Sequence, residues 1–371
     1  MMIASPRKLS GLRVLDLSAF LPGPHASMMM ADHGAEVIMV EADNGLGEPT
    51  RALGERYEDG TSVWFANIAR GKKSYRVNLK DEAEHARFMA LAKTADVVIE
   101  AFRPGVVTRL GVDYDAIRAI NPGIVYCSIS AFGQTGRYRD KPAHDLVIQA
   151  MAGTADLTRG MDGAPALTPM PSADMAASMQ ALSGVLMALF RRERTGEGDY
   201  LDISMYDSLL SWVPNVTGAI FAEDRQPTRT EMRNFGGNAF VNIYRTRDGG
   251  HIVLGGSEPK FVRNFLETID RLDLLPLTKR TVGEQRALIT DLEAVFLSRT
   301  QREWVALLET VDCCWSTIRT LHTALTEEGA PVATAPDGKR HIDNPIRFRE
   351  ESAQLSFDLP DFGEHTKSLL P

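Results

Sequence analysis

The chain has 371 residues, 41 basic and 49 acidic side chains, and a formal net charge of −8. Apolar residues make up 44% and charged residues 24%, the composition of an ordinary globular protein long enough for two domains. The acidic balance leaves no basic excess to neutralise a phosphate backbone, which excludes a nucleic-acid-binding surface but not a local cationic patch for one phosphorylated ligand.

The opening stretch MMIASPRKLSGLRV has no apolar h-region, and no run of about 18 apolar residues follows, so neither a signal peptide nor a membrane span is expected. Cys127, Cys313 and Cys314 cannot make a disulfide framework, and the adjacent pair lacks metal-ligand spacing. They read as buried small apolar residues in a reducing, cytoplasmic compartment.

In chain order, GLRVLD (11–16) predicts a buried strand, SAFLPGP a loop, and His25–Asp32 an apolar-periodic helix. Gly34 follows where a left-handed C-terminal residue belongs. AEVIMVE (35–41) is a second strand, so the opening is a βαβ unit and implies a parallel sheet. The pattern recurs with a helix at 82–95 capped by Asp81, a strand at 96–102, a helix at 113–122 and a strand at 123–133. The first 135 residues therefore predict an open doubly wound sheet. Helices are expected at 144–152, 173–194 and 206–222, with a strand at 199–205.

Residues 223–237 (EDRQPTRTEMRNFGG) are polar and carry a proline and paired glycines, the mark of a linker between a large domain (1–222) and a small one. The small α+β domain spans 238–319. It opens with a hairpin whose turn is Asp248-Gly249-Gly250 and continues with helices near 258–270, 283–298 and 301–310. Residues 320–371 return to the large domain. No internal repeat is visible.

Glu41, at the end of the second strand, invites a nicotinamide reading in which it holds a ribose hydroxyl. The turn after strand one argues against it. It reads S-A-F-L-P-G-P rather than G-x-G-x-x-G, and Pro22 and Pro24 remove amide donors where a pyrophosphate needs them. No nicotinamide and no metal is expected.

Three acid–base residues stand out. Asp174, in P-S-A-D-M-A-A-S-M, sits at a helix start and has a capping alternative. His144, in K-P-A-H-D-L, also sits at a helix start and has an inert alternative. An imidazole there could take and return a proton near neutral pH. Glu258, in G-G-S-E-P-K-F, precedes a helix where Ser257 reads as a cap and Pro259 occupies the first turn.

The blocks GLRVLDLSAFLPGP, VIMVE, ARGKKSYRVNLK, EAFRPGVVTRLGVDY, YCSISAFGQTGRYRDKPAHD, FRRERTGEGDYLDISMYDSLL and GGSEPKF run in order from about residue 11 to about residue 318. Together they resemble the family III CoA-transferase superfamily (the CaiB/BaiF group). The resemblance implies a Rossmann-like doubly wound large domain with a small α+β domain, and two chains threaded into an interlocked homodimer. It also implies an enzyme acting on acyl-CoA, with coenzyme A as part of the substrate and no metal.

Within that resemblance Asp174 is the carboxylate that attacks the thioester in transferases, or exchanges a proton in the racemase branch. His144-Asp145 reproduces the histidine–aspartate pair of the α-methylacyl-CoA racemase branch, and Glu258 matches that branch's G-x-x-E-P glutamate. The leading expectation is thus a 2-methylacyl-CoA racemase or epimerase using His144, Asp174 and Glu258, with an enolate stabilised by helix-terminal amides. The alternatives are a CoA-transferase that also takes a free carboxylic acid, working through Asp174, and a non-catalytic CoA-thioester-binding protein. The segment LVIQAMAG after Asp145 looks more like the transferases. Arg103 matches a CoA-contacting position. Arg70, Lys72 and Lys73 form a basic cluster in the block that binds the nucleotide end, and Lys80 is a weaker match. Ala42-Asp43-Asn44 stands where the family often has a basic residue. Gly133 and Gly136 flank a loop beside the expected site, and Asp207 is expected to cap a helix.

Overall fold

The computed structural model describes residues 7–160, 163–350 and 355–369. The chain divides into two compact units: one runs to Trp212 and resumes at Pro331, and the other is Val213–Ala330.

The first unit is built on a six-stranded sheet. Its elements are β1 (Arg13–Leu17), α1 (Pro22–Asp32), β2 (Glu36–Ala42), α2 (Val63–Ala69), β3 (Lys72–Val77), α3 (Glu82–Ala92), β4 (Val97–Glu100), α4 (Val106–Arg109), α5 (Tyr114–Arg118), β5 (Val125–Ser130), α6 (Asp145–Met151), α7 (Thr154–Leu157), α8 (Ser172–Thr195), β6 (Asp199–Ser204) and α9 (Met205–Leu210). The strand order is β3-β2-β1-β4-β5-β6, and every pairing is parallel. Strand order reverses between β1 and β4, so the crevice at their C-terminal ends is where this architecture binds ligands.

Alternation along the strands buries both faces. Val14, Val37, Val97, Ile99, Val125 and Cys127 pack with α1 and α8. Leu15, Ile38, Val98 and Tyr126 face the opposite way, with Phe88 of α3 and Ile117 of α5.

Helix α8 brings small residues to the core. Ala173, Ala176, Ala177 and Ala181 are buried, and a Cβ on Gly184 would lie 2.5 Å from a methyl of Leu201 on β6. The helix ends at Gly196, whose φ of +73° needs glycine and whose N–H donates to the Arg192 carbonyl at 2.7 Å. By length and composition α8 is apolar enough to cross a bilayer, contrary to the sequence expectation, but half of its apolar stretch is buried inside the unit.

The second unit contains α10 (Gly218–Glu223), β7 (Val241–Arg245), β8 (His251–Gly255), α11 (Pro259–Thr268), α12 (Arg286–Phe296), α13 (Gln301–Leu308), β9 (Trp315–Thr317) and α14 (Leu321–Thr326). Strands β7, β8 and β9 form an antiparallel sheet with β8 central. Gly249 turns the hairpin at φ +86°. The core is aromatic: Phe296 lies 4.7 Å from both Tyr244 and Trp304, measured between ring centroids.

After Pro331 the chain adds the antiparallel pair β10 (Val332–Thr334) and β11 (Arg340–Ile342) to the first unit. It then fastens to β3, where the Gly363 N–H donates to Ser74 Oγ at 2.7 Å.

Several local readings are corrected. Helix α1 starts at Pro22, because prolines suit a first turn that has no intrahelical donors to lose. The 206–222 segment is two helices, α9 and α10, with Pro214 between them. Ser204, not Asp207, caps α9, accepting from the Asp207 N–H at 3.1 Å. Cys127 is buried, but Cys313 is half-buried and Cys314 exposed.

Candidate active site

The loop after β1, the loop after β4 and the end of β5 enclose a cavity of about 410 Å³, completed by residues 139–144 and the start of α8. It sits at the sheet's switch point. His144 and Asp174 both line it, with Phe20, Arg103, Ser130 and Lys141. All of its walls belong to the first unit.

Asp174 is in the first turn of α8. The N–H groups of Ala173 and Asp174 donate to Asp145 Oδ1 at 2.7 and 3.2 Å. Asp145 therefore caps α8 from outside, and Gln149 Nε2 fixes its other oxygen at 2.5 Å. Burial pushes the Asp174 carboxyl up to about 7, and the Asp145 charge adds to this. A carboxylate raised this far is a stronger base and nucleophile than a solvated one.

His144 is the residue immediately before α6, and its side chain makes no capping hydrogen bond. Its exposed ring meets the edge of Phe20, with centroids 5.6 Å apart and planes at 81°. Phe20 is held at φ +67°, a left-handed conformation that a bulky residue adopts only under constraint. The constraint is Glu48, buried at 5% exposure, whose Oε1 accepts the Phe20 N–H at 2.9 Å. Burial raises the Glu48 carboxyl, and Thr50 and the Phe20 amide oppose that by hydrogen bonding the charged form.

The loop bearing Arg103 is held in the same way. Glu100, buried at the end of β4, accepts the Phe102 N–H at 2.8 Å, and burial lifts its carboxyl to about 7. Arg103 itself is exposed and makes no ion pair with any described residue. Among the other cations on the cavity wall, Arg139 is paired with Asp140 at 2.8 Å, whereas Lys141 has no carboxylate partner among the described residues. Phe102 also borders a second, more apolar hollow of about 270 Å³ at the ends of β1, β2 and β3, where Leu17, Val40 and Lys80 stand.

The basic cluster is corrected. Arg70 is buried against Asp32, with Nη2 to Oδ2 at 2.8 Å. Lys72 is fully buried, with Nζ 3.0 Å from Asp16 and 2.9 Å from the Pro24 carbonyl oxygen. Lys73 pairs with Glu36 at 2.5 Å. None of the three lines either hollow. Two of these cations are internal ties, and sequence alone could not distinguish them from surface charges.

Gly133 also lies off the cavity. It turns the loop at φ +80° and faces a separate hollow beside Asp202. Both oxygens of Glu41 are taken by Arg51 at 2.8 Å, so Glu41 is not an open ribose acceptor. Glu258 stands in the second unit, just before α11, without a side-chain capping bond. The expected cap Ser257 instead accepts from Arg233 Nη2 at 3.1 Å.

Phe20, Glu48, Glu100, Ser130 and Lys141 were not singled out in the sequence. The only local signal was the position of the loops at the ends of strands one, four and five, where an open α/β sheet gathers its site.

Residues 9–366 match the family described as CoA-transferase family III, and the chain belongs to that family. It is an enzyme of the acyl-CoA class. It is 32% identical over 369 residues to the succinyl-CoA–D-citramalate CoA-transferase of Chloroflexus aurantiacus, covering 97% of this chain and 86% of that protein. It is 33% identical over 396 residues to the probable fatty acyl-CoA transferase Rv3272 of Mycobacterium tuberculosis, covering 99% and 98%. The crystal structure of Rv3272 superposes with a TM-score of 0.85 at 31% identity, covering 98% of this chain and 99% of that one. A CaiB/BaiF family protein from Brucella suis gives 0.83 at 27% identity, covering 98% of each.

Proposed function

We propose that this enzyme is a CoA-transferase that moves CoA from an acyl-CoA to a free carboxylic acid through Asp174. The observation that carries the reading is the Asp174 carboxyl, raised by burial to about 7 at the head of α8, in a cavity that also presents Arg103 and Lys141. The relatives named above carry transferase names, which favours this reading over the racemase expectation.

The chemistry balances without an oxidant or an energy source. An Asp174 oxygen attacks the thioester carbonyl, a C–O bond forms, the C–S bond breaks and CoA leaves as the thiolate. The thiolate attacks the Asp174 acyl carbon and releases the donor as its carboxylate, leaving CoA on Asp174. The acceptor carboxylate then attacks that thioester, and returning thiolate takes the acceptor acyl group, restoring Asp174. One thioester is consumed and one made. The second hollow suits the nucleotide end of CoA, with Phe102 between it and the reacting end, and Arg103 and Lys80 available to its phosphates.

A specific observation keeps one second reading: His144 lines the same cavity as Asp174, so the pair could exchange an α-proton. One experiment separates the two. The protein is incubated in deuterated water with succinyl-CoA or a branched acyl-CoA, with and without a dicarboxylic acceptor. Acceptor-dependent product and a CoA adduct on Asp174 by mass spectrometry support the transferase. Deuterium at the α-carbon without acceptor supports the racemase.

We also propose that a second copy of the chain covers the outer side of α8, where Met187 is 68% and Phe190 62% exposed. A dimer mass by light scattering checks this, and a monomer at micromolar concentration refutes it.

A further inference from the structure

The cavity that holds Asp174 carries apolar surface as well as charge. Phe20, Ile129, Val147 and Met205 all line it. Ile129 and Met205 are buried in the core, whereas Phe20 and Val147 remain 37% and 43% exposed. The Phe20 ring is tied to the neighbourhood of Asp174 by two separate routes. It meets His144 edge-on at 5.6 Å, and the next residue, Asp145, accepts the Asp174 N–H at 3.2 Å. Phe20 also leads into α1, where His25 Nδ1 lies 2.9 Å from Ser178 Oγ, one turn past Asp174 on α8. The backbone that carries the ring is anchored. Phe20 is held at φ +67°, and both oxygens of the buried Glu48 are engaged, Oε1 by the Phe20 N–H at 2.9 Å and Oε2 by the Thr50 N–H at 2.7 Å.

We propose that Phe20 is a specificity-determining residue that limits the length of the acyl chain held beside Asp174, so that the enzyme takes short acyl groups and rejects long ones. The role rests on the transferase reading, which puts the acyl carbonyl at Asp174. A chain whose carbonyl reaches the first turn of α8 then meets the ring within a few carbons. The ring gives the first methylenes an apolar contact, and its anchored backbone leaves it no easy way to move aside for the next ones. Each methylene that a pocket fails to place costs about 10- to 200-fold in kcat/KM. The thioester itself is common to every donor, so the ring acts on chain length and not on the chemistry at Asp174.

The test is Phe20→Gly and Phe20→Leu, read on the rate at which CoA appears on Asp174 from succinyl-, butyryl-, hexanoyl- and octanoyl-CoA, and on melting temperature. Glycine suits a positive φ, so Phe20→Gly should melt within a few degrees of wild type. The octanoyl-to-butyryl rate ratio should rise at least about tenfold in Phe20→Gly, with Phe20→Leu between, while the butyryl rate changes by less than about threefold. Should Phe20→Gly fail to fold, Phe20→Leu carries the same comparison. A ratio within about threefold of wild type in a folded variant overturns the proposal. So does an equal loss with every donor, which would set the ring against the part of CoA that all of them share. A wild type that takes octanoyl-CoA as fast as butyryl-CoA has no limit at the ring and also overturns it. A wild-type enzyme that forms no adduct on Asp174 from any donor defeats the transferase reading itself, and the Phe20 role with it.

Discussion

Asp145 holds Asp174 through the backbone: its Oδ1 accepts the Asp174 N–H at 3.2 Å while its charge raises the Asp174 carboxyl. One residue therefore both caps the helix that presents the Asp174 carboxyl and tunes that carboxyl. Asp145 can do so because it opens α6, so two helix starts meet at the cavity. The sequence pair His144-Asp145 thus divides its work, with the histidine lining the cavity and the aspartate organising it.

This relationship fixes a pH profile. Asp174 attacks as the carboxylate, so kcat/KM should rise with pH through about 7 and level off above it. Asp145→Asn keeps an acceptor for the amides but removes the like charge. Its midpoint should move to lower pH but stay above the usual carboxylate range, because burial is the larger cause. A flat profile between about pH 6 and about pH 8 would remove Asp174 as the titrating nucleophile.

Stability should move the opposite way to activity. The Asp174 carboxyl is raised in the folded state, so its contribution is fully present below the unfolded-state pKa and is lost as pH rises through about 7. Asp174→Asn carries no charge to desolvate. It should be inactive yet more stable than wild type at about pH 8, by roughly 1–3 kcal/mol in urea unfolding, with the gap closing toward about pH 4. Equal stability across that range would mean that Asp174 is well solvated.

Lys72 should behave as a core residue. Its Nζ lies 3.0 Å from Asp16, and both side chains are wholly buried. Lys72→Met leaves the Asp16 carboxylate without its counter-charge, at a cost of about 3–5 kcal/mol. Calorimetry should show a large fall in melting temperature. A variant with normal stability but weakened CoA binding would return Lys72 to the ligand site.

Arg103 should show the converse pattern. It is exposed on the cavity rim and makes no internal ion pair with a described residue. Arg103→Ala should raise KM for acyl-CoA about tenfold, the loss of one charge-assisted contact, with kcat and melting temperature close to wild type. An unchanged KM would exclude Arg103 from binding.

Much of the sheet was legible because its strands are buried on both faces and read as unbroken apolar runs. β1, β2, β4 and β5 are of this kind, and Gly34 marks the end of α1 with φ +101°. Strand β3 is not legible in the sequence because it opens with Lys72-Lys73, residues that look like solvent-facing charge until Asp16 and Glu36 are placed opposite them. The Arg70, Lys72 and Lys73 cluster is opaque in the sequence for the same reason. Charge is visible in a sequence, but its counter-charge is many positions away and only folding supplies it.

By itself, then, the sequence determined the alternating α/β order and the family, and it put His144 and Asp174 at two helix starts, because local periodicity and short motifs are written in adjacent positions. Tertiary structure decided which charges serve the ligand and which serve the core. It alone set Asp145 on the head of α8 and Glu48 on the Phe20 backbone. Those assignments depend on burial and on contacts between distant segments, which determine how costly a charge or hydroxyl is and what it can touch.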